Sequence, residues 1–262
     1  ELAGDPVRSL DLAGKSRLLA RDLSAHEQMH ASAIIMSAAA SLGDWDQVEA
    51  VLAEHLANYE LEAGVRCLHV QTGLSRGALV VAHRGEMERA RVLIERPRPF
   101  EAQPGPIEGF RARGLVAIGR PADGLALART VISEAPRWRQ HEAAFAALVA
   151  LEALEDWGEL GRMVGSLGDL RAGYVHLDVL ARRAEGRSLV AAGDHDGGVA
   201  ALRLGLEAFD RLPDVFEAAR TREALAEAVP AERDALLRTA LATYEALGAA
   251  PHAARVRELL TH

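Results

Sequence analysis

Several features of secreted, membrane-bound and β-rich proteins are missing from this sequence. It contains one cysteine, Cys67, and only 4% of its residues are aromatic. A single cysteine cannot form a disulfide within the chain, which favours a reducing, cytoplasmic setting. No run approaches the roughly 20 apolar residues of a transmembrane helix, so we expect no membrane contact. Alternating runs of β-branched residues are also missing, so the sequence predicts no sheet.

Positive charge is scarce as well. The formal net charge is −8, and Lys15 is the only lysine. Because a nucleic-acid binder needs cations that replace phosphate counterions, we expect no direct contact with nucleic acid. Hydrophobic residues make up 49% of the chain and charged residues 26%, a balance that permits a buried core. The length of 262 residues suits one elongated repeat domain.

Three common signatures of catalysis or nucleotide binding are missing too. The chain has no Gly-x-Ser-x-Gly elbow, no Walker phosphate loop and no dinucleotide fingerprint. We therefore expect no catalytic residue and no cofactor, and the sequence does not predict an enzyme. It begins at Glu1 without a methionine, and we expect it to be part of a longer protein.

A short turn recurs between amphipathic segments. Its five copies are Gly43-Asp44-Trp45, Gly85-Glu86-Met87, Gly119-Arg120-Pro121, Glu155-Asp156-Trp157 and Gly193-Asp194-His195. They lie 34 to 42 residues apart, close to the period of ~34 residues of tetratricopeptide repeats. Glycine readily takes the left-handed conformation that ends a helix, and a following aspartate caps the next helix. A turn this short predicts antiparallel helices.

Small residues flank these turns in the pattern of the same family. Tetratricopeptide repeats have one small residue seven positions before the turn glycine and another five positions after it. The matching pairs here are Ala78 and Ala90, Ala112 and Gly124, and Gly186 and Gly198. The chain therefore resembles tetratricopeptide repeats. The resemblance implies an all-α fold, a superhelical array of antiparallel helix pairs (an α-solenoid), with close contact between the helices at these small residues.

The recurring turns predict a single repeat domain over residues 1–262. We expect terminal helices at 5–22 and 251–261 and a breaker-rich loop at 96–106. Helix pairs are predicted at 24–60, 65–95, 107–134, 138–169, 174–209 and 213–247. The alanine-rich stretch 236–260 resembles the closing repeats of LuxR-type regulators, signal-transduction ATPases and class III cyclases. In those bacterial proteins a helical-repeat tail follows a nucleotide-switch domain.

One motif suggests a different function. His26-Glu27-Gln28-Met29-His30 matches the zincin pattern, in which two helical histidines hold zinc and the glutamate is the general base. Glu49 follows at a spacing that resembles the third ligand of gluzincin aminopeptidases. If the turn lies at Gly43, however, Glu49 is offset from His30 by roughly 12 Å along the helix axis. Ligand bonds of ~2 Å cannot bridge that distance.

A capping box explains the same residues. Ser24 would cap the helix, and Glu27 would reach back to its amide. We therefore assign no metal ligand. His26 and His30 could still hold an adventitious zinc with Glu54 or Asn58, which are expected at the same height along the neighbouring antiparallel helix. Cys67 lies on the apolar side of a predicted helix, and we expect a small core residue there rather than a nucleophile.

The repeat template places several first-helix residues on the concave groove. Counting back from each turn gives Ser75, Leu79, Arg113, Phe145, Val149, Arg183 and Arg187. We predict that Arg113, Phe145, Arg183 and Arg187 bind peptide, because guanidinium groups suit carboxylates and Phe145 adds an apolar neighbour. The alternative explanation is a set of solvated arginines in an arginine-rich protein.

These patterns favour a protein- or peptide-binding module, the sensor or scaffold part of a bacterial transcriptional or signalling regulator. A zinc-dependent hydrolase that uses His26, Glu27 and His30 is one alternative. The other is a homo-oligomerisation scaffold, a homodimer formed through the last helices. The sequence leaves open whether the superhelix is open or closed into a ring.

Overall fold

The computed structural model of the protein describes residues 5–62, 67–96 and 104–261. These ranges contain α-helices, one 3₁₀ turn at Arg137–Arg139 and no strand, so the prediction of an all-α fold is confirmed. The helices are α1 (Pro6–Ala20), α2 (Ala25–Leu42), α3 (Trp45–Leu61), α4 (Leu68–Arg84), α5 (Met87–Glu95), α6 (Pro106–Ala117), α7 (Pro121–Glu134), α8 (His141–Ala153), α9 (Trp157–Ser166), α10 (Asp169–Gly173), α11 (Val175–Ala191), α12 (His195–Arg211), α13 (Val215–Ala228), α14 (Arg233–Leu247) and α15 (Ala250–Thr261).

Each helix pair expected from the turns coincides with two of these helices. The short helix α10 was not expected. Most of the breaker-rich loop, residues 97–103, lies outside the described residues, as does the start of the pair at 65–95. Among the helices of the described ranges, none combines the length and the apolar character needed to cross a membrane.

The turn glycines end their helices in the left-handed conformation. Gly43, Gly85, Gly119 and Gly193 have φ angles between 80° and 98°. Glutamate occupies the equivalent position of the fourth turn, and Glu155 adopts a φ of 55°. Because a Cβ atom disfavours this region, the fourth turn carries a strain that the other turns avoid.

The aspartates of the turns begin the following helices as the sequence predicts. Asp44, Asp156 and Asp194 each accept a hydrogen bond from the amide three residues later, at 3.0 to 3.1 Å. Each of these bonds satisfies one of the amides that a helix N-terminus leaves without an intrahelical partner. Turn chemistry therefore sets both the end of one helix and the start of the next.

Two of the small-residue pairs lie where helices touch. A Cβ atom on Gly124 would lie 2.7 Å from the carbonyl oxygen of Ala112. A Cβ atom on Gly186 would lie 2.8 Å from the carbonyl oxygen of Gly198, and the reverse holds for Gly198. These backbones are so close that no larger side chain fits, and the close contact predicted at these pairs is confirmed.

Six helices follow one another around the interior. We call them the inner helices, and they are α2, α4, α6, α8, α11 and α13. Each inner helix contacts the next one along the chain. Each inner helix also contacts the helix that it pairs with. In the same order, these partner helices are α3, α5, α7, α9, α12 and α14. Every pair thus buries its apolar side against its neighbours.

The C-terminal helices return to the N-terminal ones, so the chain closes on itself. Helix α13 contacts α2, and α15 contacts α4. The Phe216 ring lies 5.5 Å from the Trp45 ring, and Arg84 Nε donates a hydrogen bond of 3.3 Å to the Leu247 carbonyl. One apolar core includes residues from α2 to α5 and from α13 to α15. Burying these apolar faces together closes the array, which the sequence had left open.

Candidate functional site

The inner helices are joined by buried ion pairs. Arg183 of α11 is 1% exposed and donates two hydrogen bonds of 3.0 Å to the carboxylate of Glu152 on α8. It also donates a hydrogen bond of 2.5 Å to Glu217 on α13. Burial would raise the pKa of Glu217, but the charges of Arg183 and Arg220 outweigh it and lower the pKa to about 2. One guanidinium therefore links three successive inner helices.

A second buried carboxylate lies between α4, α6 and α8. Glu142 accepts a hydrogen bond of 2.7 Å from Arg113 and a longer one of 3.5 Å from Arg76. Burial favours its neutral form, yet the two guanidinium groups lower the pKa of Glu142 to about 2. The Arg113 guanidinium also lies over the Phe145 ring, 3.8 Å from its centroid. Arg113 is thus held by a carboxylate and by an aromatic face at once.

A cavity of about 190 Å³ opens beside this pair. Its charged lining comprises three arginines, Arg113, Arg220 and Arg255, and one carboxylate, Glu217. Phe145 stands among its apolar lining residues. The lining therefore combines guanidinium groups with an apolar surface. Each arginine also has a carboxylate partner outside the lining, namely Glu142 for Arg113, Glu152 for Arg220 and Glu223 for Arg255.

Two histidines of the cavity are neutral. His83 Nδ1 and His252 Nε2 lie 3.3 Å apart. Burial, together with the charge on Arg220 and Arg255, lowers the pKa of His252 to about 3. Burial and the neighbouring His252 lower the pKa of His83 as well. At neutral pH the positive charge of the cavity therefore comes from its arginines.

The structure separates the four predicted peptide-binding residues. Arg113 and Phe145 line the cavity. Arg183 was expected on an open groove, but it is buried and its guanidinium is taken up by Glu152 and Glu217.

Arg187 lies apart from this cavity. It pairs with Glu227 at 2.8 Å and stands over the Trp157 ring, 4.7 Å from its centroid. Arg183 and Arg187 both face partners on neighbouring helices, because α11 packs against α8, α9 and α13.

Sequence reasoning missed the cavity residues of the C-terminal helices. Arg220 lies on α13, and His252 and Arg255 lie on α15. They reach the cavity only because these helices return to α4. No local pattern in the sequence signals that return, because it depends on contacts between residues more than a hundred positions apart.

Glu49, which the gluzincin pattern would require as the third ligand of the histidine motif on α2, is engaged in ion pairs. Glu49 pairs with Arg84 at 3.2 Å and with Arg89 at 3.4 Å. Ser24 accepts a hydrogen bond of 3.3 Å from the Glu27 amide, which is one half of the expected capping box. The hydrolase alternative therefore loses its gluzincin-like ligand set.

The other two expected ligands are engaged as well. Glu54 pairs with Arg17, and Asn58 donates a hydrogen bond of 3.4 Å to Gln28.

The third potential ligand next to His26 and His30 is Cys67. It is not a core residue but the partly exposed N-cap of α4. Its Sγ lies 3.0 Å from Nε2 of His30, which in turn lies 3.0 Å from Nε2 of His26. One ligand atom from each of these three residues falls within 4.8 Å of the others. From the sequence we assigned no metal ligand and did not predict that Cys67 lies next to His30.

No family model matches the chain, and no curated protein matches it. The cavity and the His26–His30–Cys67 cluster are therefore the features that point to a function.

Proposed function

We propose that the chain is a protein- or peptide-binding module of tetratricopeptide-like helix pairs, and that its cavity receives a carboxylate of the partner. The observation that carries this proposal is the charged lining, with three arginines against one glutamate. Arginine guanidinium groups bind carboxylates through paired, charge-assisted hydrogen bonds. Phe145 and Leu79 supply an apolar surface for the carbon chain that bears the carboxylate.

The size of the cavity defines what enters it. Small-molecule pockets usually measure roughly 300–1,000 Å³, and this cavity of about 190 Å³ is smaller. It suits a single acidic side chain or a C-terminal carboxylate. The rest of the partner would then lie outside, against the rim of the cavity.

Exposure of the arginines favours this assignment over the groove expected from the sequence. The side chains of Arg113, Arg220 and Arg255 are 15%, 19% and 49% exposed. Solvent therefore reaches all three side chains, whereas the side chain of Arg183 is only 1% exposed. A bound carboxylate would share these partly exposed guanidinium groups with their internal partners, so the binding role moves from Arg183 and Arg187 to Arg220 and Arg255.

The biological setting is proposed on the resemblance of residues 236–260 to the closing repeats of bacterial regulators. Helices α14 and α15 of this stretch complete the closure, and α15 supplies Arg255 to the cavity. In such a setting the module would sense or hold a cytoplasmic partner for an effector domain. This context adds to the cavity argument and is independent of it.

A selection from a library of random peptides with free C-termini tests the proposal. Acidic residues or the C-terminal carboxylate should be enriched in the bound peptides. Isothermal titration of the best peptide should then show about tenfold weaker binding to Arg220→Gln and to Arg255→Gln, the loss of about 1.4 kcal/mol expected for one charge-assisted contact.

Arg203→Gln is the matched control. Arg203 forms an exposed pair with Glu232 at 2.6 Å and does not line the cavity. This variant should bind like the wild type, and circular dichroism should show that all three variants are folded. If no peptide is enriched, or if the cavity variants bind as tightly as the control, the proposal is wrong.

A further inference from the structure

We propose that His26, His30 and Cys67 form a binding site for a zinc-like transition-metal ion that joins the start of α2 to the start of α4. This site is separate from the cavity of the proposed function and does not depend on it. The proposal concerns binding and the linking of the two helices, and it assigns no catalysis.

Two close contacts meet at a single atom, Nε2 of His30. His30 Nε2 lies 3.0 Å from His26 Nε2 and 3.0 Å from Cys67 Sγ. A neutral imidazole nitrogen has either one proton or one lone pair in the ring plane, so it makes one well-directed hydrogen bond. Two neighbours at this distance therefore compete for a single bond. A cation at the centre of the three atoms would accept a lone pair from each of them.

The separations of the three ligand atoms are close to those around a bound zinc ion. Zinc binds histidine nitrogen at about 2.0–2.1 Å and cysteine sulfur at about 2.3 Å in a tetrahedral arrangement, which sets ligand atoms roughly 3.3–3.6 Å apart. Two of the distances here are 3.0 Å, and all three ligand atoms lie within 4.8 Å of one another. The two separations of 3.0 Å would lengthen by a few tenths of an ångström, and the third, which is at most 4.8 Å, would shorten by up to about 1.2 Å through side-chain rotation. A fourth position remains for a water molecule.

The local structure explains why the ligands converge. His26 and His30 are four residues apart on α2, so their side chains lie on one face of the helix. Cys67 caps α4, and its carbonyl accepts a hydrogen bond of 3.1 Å from the Gln71 amide. Helix α4 also packs along α2, so Cys67 lies beside the two histidines without an ion.

A further contact holds α4 at this position. A Cβ atom on Gly73 would lie 2.9 Å from the His55 ring, so α4 packs closely on α3. His55 Nε2 also lies 3.0 Å from the Val70 carbonyl oxygen, within hydrogen-bonding distance. Both contacts limit the movement of Cys67 away from the histidines.

The donor atoms define the class of ion. Two imidazole nitrogens and one thiolate suit Zn²⁺, Co²⁺ and other borderline or soft ions, whereas Mg²⁺ and Ca²⁺ require oxygen ligands. The three residues are partly exposed, so an ion can enter from solvent. His30 and Cys67 are separated by 37 positions, and a shared ion would cross-link two helices that are distant in sequence.

Cobalt spectroscopy tests the site directly. The purified chain is stripped with a chelator and titrated with Co²⁺ alone. We expect binding of one ion per chain with a thiolate-to-cobalt charge-transfer band. Because Cys67 is the only cysteine, this band can arise from no other residue of the chain. Zn²⁺ should displace the cobalt and raise the melting temperature by roughly 5 °C at a hundredfold excess over the Kd.

Three variants complete the test. Cys67→Ser should lose the charge-transfer band, and His30→Gln should weaken cobalt binding at least tenfold. His195→Gln is the control, because His195 is an exposed histidine at the start of α12, away from the cluster. Circular dichroism of the metal-free proteins shows that the variants are folded. If the wild type gives no charge-transfer band, or if His30→Gln binds cobalt as the control does, the three residues form only a hydrogen-bonded cluster and the proposal is overturned.

Discussion

At the scale of single residues, Arg183 shows how a charge can be buried at the centre of a helical array. Its guanidinium donates to Glu152 and Glu217, and both carboxylates are almost fully enclosed. Removing charged groups from water is costly, and the mutual attraction of the three groups offsets that cost only while all of them are present. The network therefore favours one arrangement of α8, α11 and α13.

The first prediction concerns this network. Arg183→Ala should lower the free energy of unfolding by about 3–5 kcal/mol, because it leaves two buried carboxylates with fewer partners. The control is Arg182→Ala, whose 38%-exposed side chain pairs with Asp178 at 3.0 Å. That change should cost at most about 1 kcal/mol. Urea unfolding measures both, and similar losses in the two variants would contradict the assigned network.

Glu155 carries the backbone strain of the fourth turn, and it leads to the second prediction. Its φ of 55° lies in the region where glycine has no steric cost. Glu155→Gly should raise the free energy of unfolding by about 0.5–1 kcal/mol. Glu155→Ala keeps a Cβ atom and should give no such gain. Chemical denaturation of both variants is the measurement, and a gain in the alanine variant would point to charge rather than strain.

At the scale of helices, close backbone contact defines how the two members of a pair cross. Gly186 of α11 and Gly198 of α12 are the clearest example, since each would place a Cβ atom 2.8 Å from the carbonyl oxygen of the other. Such a contact cannot be relieved by turning a side chain. The two helices would have to move apart, and their apolar neighbours with them.

The third prediction follows from this crossing. Gly186→Ala should destabilise the protein by about 1–3 kcal/mol, as overpacking in a close-packed interior does. Gly14→Ala in α1 is the control, because nothing lies within 4 Å of the added Cβ atom. It should stabilise by about 0.5–1 kcal/mol through the better helix propensity of alanine. Thermal unfolding of both variants should show melting temperatures that move in opposite directions.

At the scale of the whole molecule, closure determines which groups leave water. It brings His252 of α15 against His83 of α4 and the Phe216 ring of α13. His55, between α3 and α4, is also buried, and burial lowers its pKa to about 4. All three histidines are therefore neutral in the folded protein at a pH where they would be charged in the unfolded chain.

The fourth prediction is a loss of stability in mild acid. Histidine in the unfolded chain has a pKa near 6.5, whereas the folded pKa of His252 is about 3. Between these values the unfolded state binds more protons at this histidine, so the contribution of the buried histidines to stability is greatest above pH ~6.5 and falls as the pH decreases. Burial raises the pKa of Asp214 to about 7, and this carboxyl group contributes with the opposite sign below that pH. His55 alone should cost roughly 2 kcal/mol between pH 7.5 and pH 5.

Urea unfolding at a series of pH values measures this slope. His252→Gln should reduce the dependence on pH, because it removes one of the groups that take up a proton on unfolding. His195→Gln should leave the slope unchanged, since His195 is exposed. An equal dependence on pH in His252→Gln and in the wild type would contradict the burial of His252.

The helices themselves could be predicted because their signals are local. Gly43 and Asp44 are adjacent, and the left-handed glycine and the aspartate cap act over three or four residues. The close contact of Gly186 and Gly198 was also predictable, because these residues lie twelve positions apart across a single turn. Each of these features depends on the conformation of one short segment.

The sites could be predicted only in part. Arg113 and Phe145 were predicted to lie on the inner side of the array, and both line the cavity. Arg255 was not, since it reaches the cavity through contacts between α15 and α4. The approach of Cys67 to His30 likewise depends on how α4 packs on α2. Residues that interact across different helices leave no pattern of fixed spacing in the sequence.

Local signals predict that the chain forms helices, where the helices end and which neighbours pair, because propensity, capping and tight turns act over a few residues. The closure of the array, the carboxylates that neutralise Arg183 and the approach of Cys67 to the histidines of α2 follow only from contacts between distant residues. Small rotations between successive pairs add up around the array, and their sum sets whether the last helices reach the first. The burial of apolar surface between α13–α15 and α2–α4 stabilises the closed form.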